Sequence, residues 1–460
     1  MKISYRWLGR HLDLAGIPPE RVVQDLTLST CEVEGLERFL PHLGDVVVGH
    51  VVTREKHPDA DKLSRCTVDV GDGTLRQIVC GAPNVAAGQK VAVALPGTEL
   101  PGGIKIKKSK IRGVESEGMI CSERELGLGD EHSGIWVLPA DAQLGAKVDE
   151  ALGMQDWVIE IDNKSLTHRP DLWGHRGIAG EIAAMHRRKL RPLDETLPPT
   201  GNGPAVPVRI DTPHCLRYLA VPIDGVAARR SPDWLRALLV AVGQRPIDLL
   251  VDLSNFVMLD LGQPNHAFDR ARLAPEGIVV REARPGERLR TLDGVERALA
   301  AGDMLICSGA APVALAGVMG GDGSQVEAGT KSLLLEVASF HFATVRRTAQ
   351  RLALRTDSSA RFEKNLDPTL PRRAAAHFLR LLQEIEPGLR LPAPVSDVGS
   401  WTDPTLARAS VTASSVCCSK FAAPFTVATR FGTRSARRWY TFSTCAHCES
   451  TAWSSITRRL

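Results

Sequence analysis

Between residues 46 and 138 the chain repeats one device: a short β-branched run closed off by turn residues. Val46-Val47-Val48-Gly49-His50-Val51-Val52 is followed by a second run over 63–70, by Ile78-Val79-Cys80 and by Val91-Ala92-Val93-Ala94-Leu95, with Gly, Pro, Asp or Asn between them. Runs this short and this evenly spaced predict a small closed β-barrel. The oligonucleotide-binding (OB) barrel of about five strands is the candidate, since it leaves no free edge and offers one face to nucleic acid. In IKIKKSKIRGVESEGMICSERELG (104–127) isoleucines alternate with cations. Ile104, Ile106 and Ile111 are predicted to face inward. Lys105, Lys107, Lys108, Lys110 and Arg112 are then predicted to line a solvent face that can sit on phosphates. Charge alone favours an ordinary solvated strand.

Charge is informative only when divided. The formal net charge is +4, but residues 401–460 hold eight Lys and Arg against two acidic residues. The remaining 400 residues carry 49 basic and 51 acidic side chains, so any nucleic-acid surface must be local. No apolar run reaches the ~18 residues of a membrane helix. The opening MKISYRWLGRHLD lacks the apolar core of a secretion signal. Six cysteines scattered through the first 400 residues, without framework spacing, fit a reducing cytoplasm. The P-loop pattern and the two class I synthetase signatures are absent, and no class II arginine motif stands in a convincing sheet. No ATP site is therefore read from this chain.

The organisation predicted is multidomain α/β (α+β). Residues 1–39 and 152–190 form a discontinuous α/β domain, with the barrel (40–151) inserted. Residues 191–208, rich in Pro and Gly, form a linker, and 209–400 a mixed α/β domain. Ser231 and Pro232 are predicted as N-cap and first residue of a helix carrying Leu235, Leu238, Leu239 and Val242. Further helices are expected over 177–188, 342–354 and 370–385. Residues 401–460 lack periodicity and hold 19 Ser or Thr and four Cys. From about 407 they read as an aberrant, out-of-frame tail, expected to be disordered. Cys417, Cys418, Cys445 and Cys448 could be taken for a zinc set, but an adjacent Cys-Cys pair fits that geometry poorly, and no metal ligand is assigned.

Four separate regions carry a resemblance: the N-terminal segment, the barrel, the segment that resumes after it, and the central region. HPDADKL (57–63), IVCGAPNV (78–85), SEGMICS (116–122) and HSGI (132–135) resemble the tRNA-binding domain of the bacterial phenylalanine–tRNA ligase β subunit, a relative of the module appended to methionine–tRNA ligases. MKISYRWLGRHLDL with TLSTCEVEG, then IEIDNKSLTHRPDLWGHRGIAGEIAA (159–184), are similar to segments flanking that barrel. VDLSNFVMLDLGQPNHAFD (251–269), ALAGVMGG (314–321) and LLLEVASFHFATVRRTAQRLALRTDSSARFEKNLDP (333–368) resemble its editing region. The resemblance spans roughly residues 1–400.

The resemblance implies a cytoplasmic subunit that binds tRNA(Phe) and hydrolyses mischarged Tyr-tRNA(Phe). An α subunit would hold the ATP- and Mg2+-dependent synthetic site, in an α2β2 tetramer. A stand-alone tRNA-binding or trans-editing protein is the alternative. The family's editing pocket maps onto Asn255, His266, Gly317 and Glu336, with Ser254 standing where several relatives have Thr. Glu336 would accept from the tyrosine phenol, His266 would orient the water or ester, and Asn255 and Gly317 would shape the cavity. Judged by residue type alone, His266 reads as a core or capping histidine, and Gly317, Gly320 and Gly321 as tight-turn glycines. Glu336, following three leucines in a strand, is unusual unless paired. His168, Arg169, Asp171, His175 and Arg176 read as turn-fixing residues that could also touch the α subunit. Arg361 and Glu363 read as a salt-bridge network, and Asp59 and Asp61 as turn formers.

Overall fold

The computed structural model describes residues 1–401; the tail expectation and its four cysteines lie outside the described residues. Near the N-terminus, Trp157–Ile161 runs antiparallel between Lys2–Ser4 and Val33–Arg38. Helices Pro19–Ser29 and His175–Met185 close over this sheet through Val22, Leu26, Ile178 and Ile182, which meet Ile3, Ile159 and Ile161. The second helix starts two residues earlier than its sequence signal, at His175. His175 Nδ1 donates to the Leu259 carbonyl (2.9 Å), and its Nε2 accepts from the Ser4 amide (3.1 Å).

In the next layer, Val46–Lys56 pairs with both Ser64–Asp69 and Lys90–Ala94. Leu75–Cys80 extends one side, and Met119–Ile120 and Val137–Leu138 both pair with Lys90–Ala94 on the other. The Glu117 amide donates to the Gln77 carbonyl (2.8 Å) and the Val79 amide to the Ser116 hydroxyl (3.1 Å), so the sheet nearly closes into a barrel. Val47, Val91 and Val93 fill the interior with Ile78 and Ile120, while Val46, Val48, Ala92 and Ala94 pack outward against Leu43, Leu126 and Trp136. Burial on both faces explains why these strands read as unbroken apolar runs rather than alternating ones.

The isoleucine–cation segment differs from expectation. It is not one alternating strand but parts of two hairpins, Ile104–Lys105 with Glu99–Leu100 and Ser109–Ile111 with Val114–Ser116. Arg112 and Gly113 turn the second at φ +49° and +84°, as a two-residue primed turn requires. Only Ile106 faces inward (7% exposed); Ile104 and Ile111 are exposed (47% and 36%). Each hairpin is too short to have an inner and an outer face, so alternation does not translate into burial.

From residue 208 onward two sheets face each other. One is ordered His266–Asp269, Ser332–Phe340, Cys215–Asp224, Ser396–Gly399; the other Val208–Ile210, Ile278–Glu282, Met304–Ser308, Ala311–Leu315, Met319–Gly320. The period of two sorts the central strands. Leu333, Leu335 and Val337, with Leu219, Val221 and Ile223, pack on helices Asp233–Ala241, Leu249–Leu261 and Leu370–Ile385. Leu334, Ala338 and Phe340, with Tyr218 and Phe268, pack toward the second sheet. Residues 191–208 lie against this body: Leu193 and Leu197 join the helical core, and Gly201 and Gly203 donate to the carbonyls of Leu391 and Pro392. Ser231 does not cap its helix. Its hydroxyl donates to the buried Asp252 carboxylate (2.5 Å), and Pro232 occupies the cap position. Among the described residues no helix is long and apolar enough to cross a membrane.

Candidate functional site

The helix Leu249–Leu261 delivers the first part of the site. Asp248 caps it by accepting from the amides of Leu250 and Val251, and Gly262, in the left-handed region at φ +75°, stops it. Beyond this stop Gln263 is fully buried, and its Nε2 donates to the Ala338 carbonyl (2.9 Å). That bond ties the outgoing loop to the strand Ser332–Phe340 two residues past Glu336. The loop therefore enters the sheet with His266 directly opposite Glu336. Because Glu336 follows the parity of Leu334 and Ala338, its carboxyl points between the two sheets. A one-residue slip would turn it into the helical core.

Glu336 and His266 line a cavity of ≈ 50 Å³, together with Asn265, Gly317, Met319, Gly320, Ser358 and Phe362. A water needs about 10–15 Å³ of such space, so the cavity takes a few waters. Burial pushes the Glu336 carboxyl up to about 8 and the His266 imidazole down to about 4. At neutral pH the site thus holds an uncharged acid, able to donate as well as accept, beside an uncharged imidazole. His266 Nε2 and Asn265 Oδ1 are buried without a hydrogen-bond partner. In a folded interior such groups await a ligand or ordered water.

Gly317 is a turn glycine at φ +72°. Gly320 and Gly321 are not: neither has positive φ. A Cβ at Gly320 would stand 2.7 Å from His266 Cε1, and one at Gly321 would stand 2.7 Å from the Val313 carbonyl oxygen, so close approach is what requires glycine there. Asn255 does not line the cavity. Ser254 does not line it either: its hydroxyl donates to the Asn265 carbonyl (3.0 Å), and Asn265 Nδ2 donates back to the Ser254 carbonyl (3.1 Å). Sequence reasoning missed Asn265, although a polar residue wedged between Pro264 and His266 was a signal.

The five barrel cations are all exposed but not equivalent. Lys105 lies 3.4 Å from Glu99, and Lys108 lies 2.5 Å from Glu117 and 3.7 Å from Glu115. Lys107, Lys110 and Arg112 carry no ion pair among the described residues. Lys105 and Lys107 border a groove of ≈ 540 Å³ along the barrel, also lined by Ser109, Ser122, Glu125 and His132.

The remaining charged motifs serve the frame. Arg169 bridges Asp171 and Glu181, Arg361 holds Asp357 and the Trp173 carbonyl, and Glu363 pairs with Lys364 and Arg355. Asp61 pairs with Lys56. Among the described residues no group of three or more His, Cys, Asp or Glu side chains could hold a metal.

Two domain models match this chain: a putative tRNA binding domain over residues 46–147 and a B3/4 domain over 214–387. The first covers the barrel; the second covers the cavity. The phenylalanine–tRNA ligase beta subunit of Nitratidesulfovibrio vulgaris is 46% identical over 371 residues, covering 80% of this chain and 46% of the relative. The chain is a homologue of the phenylalanine–tRNA ligase β subunits. Those of Desulfotalea psychrophila (45% over 392 residues, 84% of this chain, 47% of the relative) and Oceanobacillus iheyensis (44% over 406, 84% and 49%) agree. The chain spans about half the length of the curated relatives it matches.

Proposed function

We propose that this chain acts as a phenylalanine–tRNA ligase β-type subunit in the cytoplasm. It would bind tRNA(Phe) through its barrel, of OB type, and clear mischarged Tyr-tRNA(Phe) at the cavity between the two sheets. The observation that carries this reading is the opposition of His266 and Glu336 across one strand pair, in a cavity where His266 Nε2 and Asn265 Oδ1 lack partners. Water adds to the ester carbonyl carbon, and the bond to the ribose oxygen breaks. Free amino acid and a tRNA hydroxyl result. Neutral His266 accepts a hydrogen bond from that water, and the uncharged Glu336 carboxyl meets the phenol. Phenylalanine in the same place would leave the carboxyl unpaired, which is how a polar site rejects the analogue lacking a hydroxyl. Lys107, Lys110 and Arg112 are the barrel cations best placed to meet phosphates, because no carboxylate competes for them.

Amino acid activation is assigned to an α-subunit partner. ATP and Mg2+ belong to that whole enzyme; the described residues offer no metal-binding group, and no step here passes through either. The test is deacylation of Tyr-tRNA(Phe) against Phe-tRNA(Phe) by the chain and by Glu336→Ala. Preferential hydrolysis of the tyrosyl ester, eroded in the variant, is expected. Equal hydrolysis of both esters by the wild type, with tRNA binding demonstrated, would refute the assignment.

A further inference from the structure

Asn265 is held more firmly than a loop side chain needs to be. Its Nδ2 donates to the Ser254 carbonyl, while the Ser254 hydroxyl donates to the Asn265 carbonyl. This reciprocal pair fixes the orientation of the amide. Reversing it would set Oδ1 against the Ser254 carbonyl oxygen, two acceptors at 3.1 Å. Oδ1 is therefore left as a pure acceptor, buried and without a partner, on a residue that lines the cavity. It belongs to the same lining as His266 and Glu336, one residue from the former in sequence.

We propose that Asn265 is a specificity-determining residue of this site, its Oδ1 accepting the hydrogen bond donated by the hydroxyl of the side chain to be removed. The inference rests on the hydrolytic reading of the cavity. A phenol has one O–H to give and an oxygen that can receive. Asn265 Oδ1 takes the first, and the uncharged Glu336 carboxyl can supply a donor to the second. A side chain with no donor leaves Oδ1 unpaired, and so does one whose only polar atom is an acceptor.

The distinguishing experiment uses the full chain with tRNA(Phe) carrying tyrosine, phenylalanine or 4-fluorophenylalanine. Wild type should prefer tyrosine over both. Asn265→Leu, of similar size but without an acceptor, should lower kcat/KM for the tyrosyl ester about ten-fold while leaving the other two unchanged. Ser254→Ala, which removes only the reciprocal hydroxyl bond and keeps Asn265 Oδ1, should retain more of the preference than Asn265→Leu. An equal fall on all three esters in Asn265→Leu would mark a merely structural residue and overturn the inference, as would an undiminished tyrosine preference. In both cases the wild-type preference would leave the hydrolytic reading standing. A wild type without any preference would overturn both.

Discussion

Glu336 makes the sharpest physical demand on the fold. The residue is 6% exposed, its carboxyl lies between two sheets, and burial raises that carboxyl from 4.5 to about 8. In the unfolded chain it ionises near 4.5; in the folded chain it stays protonated to about 8. The folded state thus binds the extra proton. Stability associated with this group is complete below pH 4.5 and is lost as pH rises toward 8. Raising the carboxyl from 4.5 to about 8 corresponds to about 5 kcal/mol in full, of which about 3 kcal/mol is gone by pH 7. His266 works in the opposite sense: depressed from 6.5 to about 4, it contributes stability above pH 6.5 that is lost as pH falls through 4. Glu336→Gln removes the first titration and leaves the second. The difference in stability between variant and wild type therefore isolates Glu336. It should shift in favour of the variant by about 3 kcal/mol between pH 4.5 and 7. Scanning calorimetry at half-unit pH steps measures it. Any pH-independent cost of burying the glutamine amide offsets the curve without tilting it, so a flat difference curve would show that Glu336 is solvated or paired, contrary to its placement here.

Three further outcomes follow from named contacts. Gly320→Ala places a Cβ on the His266 ring; it should abolish ester hydrolysis while circular dichroism and tRNA affinity stay unchanged, and retained activity would mean the ring is free to move. Lys107, Lys110 and Arg112 changed together to Ala should weaken tRNA binding and reduce its salt slope by up to about three charges, whereas Lys108→Ala, already neutralised by Glu117, should change the slope little. Asp260→Asn should destabilise the protein by about 3–5 kcal/mol in urea titration. That carboxyl is fully buried; burial alone would raise it, but hydrogen bonds from His11 and His377 hold it below the usual range, and Trp7 Nε1 donates to it.

What the sequence disclosed depended on how local each cause was. Strand runs bounded by turn residues are local, and so is a helix such as Leu370–Ile385, so these could be read directly. Glu336 was conspicuous because an acid after Leu333, Leu334 and Leu335 breaks a buried strand. Which sheet face it took could be settled only by the register against His266. The isoleucine–cation segment misled for the converse reason. Alternation was present, but Arg112 and Gly113 fold it back before a second face exists. Ser231 carried a local capping signal that lost to Asp252, 21 residues away. The helix Leu249–Leu261 is buried on nearly every side, so no polar–apolar stripe distinguishes Ser254 from Asn255 or says which turns toward the loop. Asn265 was the least legible of all. Its acceptor is left unpaired beside the cavity only because Gly262 ends that helix and returns the chain past Ser254, whose own carbonyl and hydroxyl then clamp the amide. Backbone atoms made that orientation, and a backbone carbonyl has no letter in a sequence.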